Sequence, residues 1–129
     1  MGLFTSLFGK NEKEEKELGL LPWIALTSKE QLDEIVEKSN ERPQLIFKHS
    51  TTCGISRMVL NMFTRSYTLG ESADLYYLDL HAHRDVSNAV ASHFGVVHQS
   101  PQLLVLKDGG VNFHTSHGAI TDIDLKDYI

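Results

Sequence analysis

Hydrophobic and polar positions along the chain follow two alternating periods. Five short apolar runs predict strands, since their composition and length are typical of buried or half-buried β-structure. Between the first four runs, apolar residues recur at spacings of three and four, which is typical of helices with one buried face. The strand-like runs are "PWIAL" at 22–26, "QLIFKH" at 44–49, "DLYYLDL" at 74–80, "PQLLVLK" at 101–107 and "VNFHTS" at 111–116.

Three helices are predicted between these strands. The first begins near Thr27 and Ser28, because each hydroxyl is followed three residues later by an acid or an amide that completes a capping box. The third is capped by Asp85 and ends at Gly95. The residues expected on buried faces are Leu32, Ile35 and Val36 in the first helix, Ile55, Met58, Val59, Met62 and Phe63 in the second, and Val86, Ala89, Val90 and Phe94 in the third.

The last third of the chain has a different pattern. Asp108-Gly109-Gly110 lies between two strands and predicts a hairpin. Thr121-x-x-Asp124 predicts a short final helix with Leu125 inward. The order β-α-β-α-β-α-β-β-α predicts an α/β fold of three layers: a central mixed sheet, parallel in its core with an antiparallel edge, and helices on both faces. This is the layout of the thioredoxin fold, and we expect it over residues 20–129, after a flexible leader at 1–19.

Composition and charge narrow the range of functions. The chain has 129 residues, enough for one domain with a real core. Its formal net charge is −5 and no basic stripe is visible, so nucleic acid is not an expected partner. No apolar segment is long enough to span a bilayer, so no membrane association is expected. A single cysteine excludes an internal disulfide and is typical of the reducing cytosol, which predicts a cytoplasmic protein.

The single cysteine, Cys53, lies in "STTCGIS", between a predicted strand and a predicted helix. A sulfur at a helix N-terminus faces unpaired N–H groups with partial positive charge, which stabilise the reactive thiolate. Thr52 and the Gly54 N–H are expected to help stabilise this thiolate, and both residues add little bulk beside it. Lys48 could add positive potential for a substrate, unless strand geometry points it away. The alternative is a buried, inert cysteine. Small and polar neighbours favour the reactive interpretation.

Ser56 occupies the position at which dithiol redox proteins carry a second cysteine. A hydroxyl can donate a hydrogen bond to the Cys53 thiolate, but it cannot form a disulfide, so the chemistry is limited to one thiol unless an external thiol resolves the intermediate. An ordinary role for Ser56 in the first helical turn is equally compatible with the sequence.

Ser100 and Pro101 precede the fourth predicted strand. In the thioredoxin fold a proline at this place faces the cysteine in the cis form, and the backbone of the residue before it binds an extended substrate. We therefore expect Ser100 and Pro101 to form a ledge for substrate. A trans proline that merely begins the strand is the alternative.

Seven histidines raise the question of a metal site. The tightest groups are His81 with His83, and His114 with His117. No acid or cysteine recurs beside them at helical ligand spacing, and a zinc site needs about four ligands. No metal is therefore expected, and the histidines are interpreted as surface or hydrogen-bonding residues.

Three motifs, in this order and separation, carry a resemblance: "FKHSTTCGISRMV", "HQSPQLLVLKDGG" and "HTSHGAIT". Together they resemble the monothiol bacilliredoxin family of thioredoxin-like proteins over residues 20–129. The resemblance implies an enzyme that reduces mixed disulfides, formed under oxidative stress, between protein cysteines and the low-molecular-weight thiol bacillithiol. Bacillithiol would be a co-substrate, with no tightly bound cofactor.

In that interpretation Cys53 is the nucleophile that takes up the bacillithiol. Thiolated client proteins and the small thiol are the implied partners, and a second thiol or a flavin disulfide reductase would restore the enzyme. Ser116, His117, Ile120 and Thr121 match the late family motif, and His117 could line the thiol site or hold the final turn.

Two other functions stay open from the sequence. Cys53-Gly54-Ile55-Ser56 is one residue from C-G-F-S, the mark of monothiol glutaredoxins that carry a [2Fe–2S] cluster. Ile55 in place of the aromatic residue and the late motif argue against that family. The remaining alternative is a redox-silent interaction module with the same fold.

Overall fold

A computed structural model describes residues 21–129. The leader predicted for residues 1–19 and the predicted domain start at residue 20 lie outside the described residues. Short 3₁₀ helices cover Gly70–Ser72, His117–Asp122 and Leu125–Tyr128. The main elements are β1 (Trp23–Ala25), α1 (Glu30–Lys38), β2 (Gln44–His49), α2 (Gly54–Ser66), β3 (Asp74–Asp79), α3 (Arg84–Phe94), β4 (Gln102–Lys107) and β5 (Gly110–Ser116).

The five strands form one mixed sheet in the order β1-β3-β2-β4-β5. Strands β1 and β2 both run parallel to β3. Strand β4 is antiparallel to β2, and β5 is antiparallel to β4. Every residue of the central strand β2 is buried. The prediction of a thioredoxin-like α/β fold, with a parallel core and an antiparallel hairpin at one edge, is therefore confirmed.

The sheet separates two hydrophobic cores, because successive side chains of a strand point to opposite faces. Helices α1 and α3 cover one face, and α2 with the C-terminal 3₁₀ segments covers the other. Each fully buried large side chain contributes about 1.5–3 kcal/mol of transfer free energy. The first core includes Leu32, Ile35, Ile46, Val86, Val90 and Leu104, and the second includes Phe47, Val59, Leu60, Phe63, Leu103 and Ile120.

The buried face of α2 differs in part from the predicted one. This helix carries apolar residues on two sides, so spacing alone could not tell which side points inward. The inward side packs on the sheet, whereas the other side is open to solvent. Val59, Leu60 and Phe63 are buried, whereas Ile55, Met58 and Met62, which were predicted inward, are exposed.

The helix starts differ from the predicted caps, whereas the predicted helix stop at Gly95 is present. In place of a complete capping box, the Gln31 side-chain oxygen accepts hydrogen bonds from the Thr27 and Ser28 N–H groups at 2.8 and 3.0 Å. Asp85 lies inside the first turn of α3, and not at its cap as predicted, because the cap residue is His83, two residues earlier. Gly95 ends α3 with φ +65°, a left-handed conformation that suits glycine.

The C-terminal region follows the hairpin prediction and departs from the helix prediction. Asp108 and Gly109 have φ of 54° and 90° in the turn between β4 and β5. No helix opens at Thr121. Instead the Asp124 side chain accepts a hydrogen bond from the Lys126 N–H at 3.1 Å and caps a 3₁₀ turn. Leu125 packs against the second core, as predicted for an inward residue.

Four loops meet at one end of the sheet. His49 lies opposite Asp79 in the register, and Gln102 lies opposite both Lys48 and Ser116. The residues that follow β2, β3 and β5 therefore lie beside the residues that precede β4. This end brings residues 50–53, 80–83, 99–101 and 117 together. No helix within residues 21–129 is both long and apolar enough to cross a membrane.

Candidate active site

Cys53 lies at the junction of β2 and α2, as the sequence predicts. It is the N-cap residue of α2, with φ −105° and ψ 120°, and its carbonyl accepts the first helical hydrogen bond from the Arg57 N–H at 3.1 Å. The thiol is half-buried and unoxidised, and it makes no capping hydrogen bond of its own. The sulfur therefore stands beside the unpaired N–H groups of the first helical turn, within reach of solvent.

Ser56, in the first turn of the same helix, is fully buried. Its hydroxyl accepts a hydrogen bond from the Ser50 N–H at 3.1 Å and lies 2.8 Å from His49 Nδ1. Among the described residues its hydroxyl makes no hydrogen bond to Cys53. The hydroxyl instead ties the first turn of α2 to the end of β2, which fixes where the cysteine loop leaves the sheet.

His49 is the buried partner in this arrangement. Its ring lies between Phe47 and Tyr77, with centroid distances of 6.5 and 5.6 Å. Burial lowers the pKa of His49 to about 4, with Asp79 opposing the change and the positive charge of Arg57 adding to it. The imidazole is therefore neutral at pH 7, so one ring nitrogen is a donor and the other an acceptor.

A polar group of side chains surrounds the loop before Cys53. His81 Nε2 lies 2.8 Å from Ser50 Oγ and 3.2 Å from Thr52 Oγ1, and its Nδ1 lies 3.4 Å from Arg84 Nη2. His81 therefore links the loop before Cys53 to the start of α3. On the other side, Arg57 Nη2 donates to the Thr51 carbonyl at 2.9 Å.

Ser100 and Pro101 precede β4, at the same end of the sheet as this loop. The Ser100–Pro101 peptide bond is cis, which selects one of the two alternatives that the sequence left open. Pro101 is buried and Ser100 half-buried, and the Ser100 hydroxyl has no hydrogen-bond partner among the described residues. The His117 N–H donates to the Pro101 carbonyl at 2.9 Å, and His117 itself is exposed with φ 56°.

Lys48 is not brought together with these residues. Its side chain lies on the other face of the sheet, where Nζ donates to the Ser87 carbonyl at 3.2 Å and lies 3.1 Å from His98 Nδ1. The residue is fully buried, and burial lowers its pKa to about 8. The expectation that Lys48 contacts substrate is therefore corrected: strand alternation turns it away from Cys53.

Of the predicted site residues, the structure brings Thr52, Cys53, Gly54 and Ser56 to the α2 N-terminus, and Ser100, Pro101 and His117 to the neighbouring loops. Gly54 is exposed, with open space where a Cβ would stand. Sequence reasoning missed the contributions of His49 and Arg84, and it interpreted His81 only in general terms, as a surface or hydrogen-bonding residue. Strand alternation at the end of β2 could have indicated His49, whereas the contact of His81 with a loop 31 residues away has no local pattern.

The described residues contain no group of three or more histidine, cysteine, aspartate or glutamate side chains that could hold a metal ion. His81, in the histidine pair considered from the sequence, is occupied by hydroxyl and guanidinium contacts.

Comparison with known proteins identifies the family. The family described as monothiol bacilliredoxin BrxC matches residues 24–125. The chain belongs to the monothiol bacilliredoxin family. The family prediction made from the three sequence motifs is thereby confirmed, and the matched range contains the cysteine loop, the cis-proline and the late motif.

Solved structures agree with this assignment. A protein described only as an oxidoreductase with a thioredoxin fold is 30% identical, with a TM-score of 0.71 over 87% of this chain and 96% of its own. Thioredoxin NaTrxh from Nicotiana alata (22% identity, TM-score 0.62, 84% and 93% coverage) and Fasciola hepatica thioredoxin (16%, 0.61, 80% and 92%) share the fold. The bacilliredoxin is thus a thiol oxidoreductase of thioredoxin fold with one cysteine.

Proposed function

We propose that this protein removes a bacillithiol-type low-molecular-weight thiol from S-thiolated protein cysteines in the cytoplasm. The observation that carries the proposal is the position of Cys53: half-buried, without a disulfide partner, at the N-terminus of α2. The family to which the chain belongs supports a partner of this thiol class.

The proposed reaction is a thiol–disulfide exchange. The Cys53 thiolate attacks the sulfur of the small thiol in the client's mixed disulfide, a bond forms between these two sulfurs, and the old disulfide breaks. The client sulfur leaves as a thiolate and takes up a proton. One disulfide is consumed and one is formed, so no outside electrons enter this half-reaction. A second thiol then attacks the small-thiol sulfur of the adduct, so that a new disulfide forms at that sulfur and Cys53 leaves as a thiolate. A flavin disulfide reductase is a candidate source of the two electrons that reduce the new disulfide.

Residues around the sulfur support this exchange in different ways. The N–H groups from Gly54 onward stabilise the thiolate, and Thr52 holds the loop through His81. Ser100 offers backbone groups to the client chain on a ledge that it forms with Pro101, and His117 lies beside them. Ser56 enters this proposal as a support for the helix start, because its hydroxyl is engaged with Ser50 and His49.

The experiment is a release assay with one client protein carrying bacillithiol on a single cysteine. We expect wild-type protein to free the client thiol and to gain the mass of one bacillithiol on Cys53. Cys53→Ser should abolish both while changing the free energy of unfolding by less than about 1 kcal/mol, since the half-buried thiol contributes little packing. Release by Cys53→Ser at the wild-type rate would contradict the proposal.

The same preparation tests the alternatives. Protein purified without oxygen and coloured brown, with iron and glutathione bound, would support the [2Fe–2S] carrier. Neither an adduct nor a cluster, with Cys53 alkylated no faster than a free thiol, would support the interaction module.

A further inference from the structure

Two buried polar side chains hold the connection between α3 and β4, residues 95–101. Lys48 and Gln102 lie opposite each other in β2 and β4, so their side chains share one face of the sheet. Lys48 Nζ lies 3.1 Å from His98 Nδ1, and Gln102 Nε2 donates to the Val97 carbonyl at 3.0 Å. The two side chains therefore hold consecutive residues of the segment that leads to Pro101.

Packing alone does not explain either side chain. Lys48 is fully buried, and no carboxylate of residues 21–129 lies within ion-pairing distance of its ammonium. Gln102 is 1% exposed, and its side-chain oxygen has no hydrogen-bond partner in the same part of the chain. Incompletely paired polar groups cost stability when they are buried, and an apolar side chain of similar volume would avoid that cost. Two such costs at one segment point to a function for its position.

The segment ends at the backbone that the proposed exchange uses. On the far side of Ser100, the Pro101 carbonyl accepts a hydrogen bond from the His117 N–H at 2.9 Å, and β4 then joins the sheet. On the near side, Lys48 and Gln102 hold residues 97 and 98. The N–H and carbonyl of Ser100 itself make no hydrogen bond within the described part of the chain. Ser100 is thus held from both sides, while its own backbone groups are left for a partner.

We propose that Lys48 and Gln102 are positioning residues that hold Ser100 in place for the backbone of a client, so that the enzyme favours extended polypeptide disulfides over small ones. The inference rests on the proposed exchange at Cys53 and deepens it. Both side chains lie on the sheet face that α3 covers, whereas Cys53 lies at the start of α2 on the other face. Their contribution is therefore to the alignment of the client chain, and not to the reactivity of the thiol.

The test compares two disulfides that carry the same small thiol. One is an octapeptide of alanines with a central cysteine bonded to 2-mercaptoethanol, and the other is N-acetylcysteinamide bonded to 2-mercaptoethanol. We expect the wild type to release the peptide thiol about tenfold faster at equal low concentration, since each backbone hydrogen bond contributes a several-fold preference. In Lys48→Met/Gln102→Met, the peptide concentration for half-maximal rate should rise about three- to tenfold, with the maximal rate constant within about twofold.

Matched measurements separate positioning from a general structural effect. Iodoacetamide should alkylate Cys53 in the double variant as fast as in the wild type, and release from N-acetylcysteinamide should be unchanged. Lys107→Met removes a lysine from the opposite end of β4 and should leave the peptide preference intact. Urea denaturation should show that the double variant is no less stable than the wild type, because both methionines are apolar and fill similar space. Each single variant should show part of the effect.

Failure of this inference is distinguishable from failure of the proposed exchange. A peptide preference that persists in the double variant, that falls as much in Lys107→Met, or that is lost because both disulfides react equally slowly would overturn the role of Lys48 and Gln102 and leave the exchange intact. A wild type without any preference for the peptide would overturn that role as well. If the wild type released neither thiol, the exchange itself would fail, and this inference with it.

Discussion

Lys48 and His49 are adjacent in β2, both are basic, and both are buried, yet they lie in different cores. His49 points toward α2, contacts two aromatic rings and is bonded to Ser56, a residue of its own face. Lys48 points toward α3 and keeps its ammonium on a backbone carbonyl and His98. Burial disfavours the charged form of both side chains. At pH 7 His49 is neutral, whereas Lys48 remains charged.

Because they lie on opposite faces of β2, His49 and Lys48 hold different parts of the candidate site in place. His49 supports the loop and the helix start that carry Cys53. Lys48 holds the segment before Pro101, because His98 belongs to the connection between α3 and β4. The two halves of the candidate site are therefore anchored from opposite faces of one strand. Replacing His49 and Lys48 one at a time would therefore show how much each contributes to stability.

The largest expected effect is that of His49→Ala. It removes a buried ring from an aromatic group and leaves the buried Ser56 hydroxyl without this partner, so we expect the free energy of unfolding to fall by about 3 kcal/mol. Urea denaturation monitored by circular dichroism measures this. His114→Ala, at an exposed site on β5, is the control and should change stability by less than about 0.5 kcal/mol. Equal losses in both variants would show that His49 is not the anchor.

The next largest expected effect is a loss of stability at acid pH that comes from His49. Its pKa is about 4 in the folded state against 6.5 ordinarily, so the unfolded chain binds more protons between these values. Stability should therefore fall as pH drops from about 6.5 to about 4, by a total on the order of 3 kcal/mol. His49→Gln should lack this component while retaining the contribution of the carboxylates. If the stability of His49→Gln fell with pH as steeply as that of the wild type, the low pKa would be wrongly assigned to His49.

Lys48→Met should have a smaller effect of opposite sign. At pH 7 the buried ammonium is charged without a carboxylate partner among the described residues, and methionine fills similar space, so a gain of about 1–2 kcal/mol is expected. Because the folded pKa of about 8 lies below the ordinary 10.5, wild-type stability should rise between pH 8 and 10 and the variant's should not. Above pH 10 Tyr76 obscures the comparison, since its pKa is raised to about 12 and its ionisation favours the unfolded chain. A destabilised Lys48→Met would mean that the charge is needed for packing.

Ser56→Ala is expected to have the smallest effect. Loss of the contacts with Ser50 and His49 should cost about 1 kcal/mol of stability. Thiol exchange should slow by less than about threefold, because the hydroxyl makes no hydrogen bond to Cys53. Activity lost out of proportion to stability would restore the role that the sequence suggested, in which Ser56 donates to the thiolate.

The fold could be predicted because each element was marked locally. The hairpin at Asp108–Gly109 and the stop at Gly95 depend on left-handed backbone conformations that the sequence makes plain. The face of α2 could not be assigned, since Ile55 and Val59 are equally apolar and only the sheet distinguishes them. The family prediction depended on three motifs that are distant in the sequence. It was confirmed by the family match over residues 24–125, which contains all three.

Within the candidate site, the sequence predicted which residues lie near Cys53. It did not predict the directions in which their side chains point. Cys53, Gly54 and Ser56 lie at the helix start because a helix follows a strand there. The prediction for Lys48 depended on which face of β2 it occupies, and strand alternation turns residue 48 to the face opposite residue 49, away from Cys53. Arg84 could not have been found, because its position depends on β3 ending beside β2.

The buried amine of Lys48 can report the opening motion of the segment before Pro101. An amine reagent can modify Lys48 only when the connection from α3 to β4 lifts away, whereas surface lysines such as Lys126 react at once. The acylation rate at Lys48 under native conditions would then measure how often this connection opens.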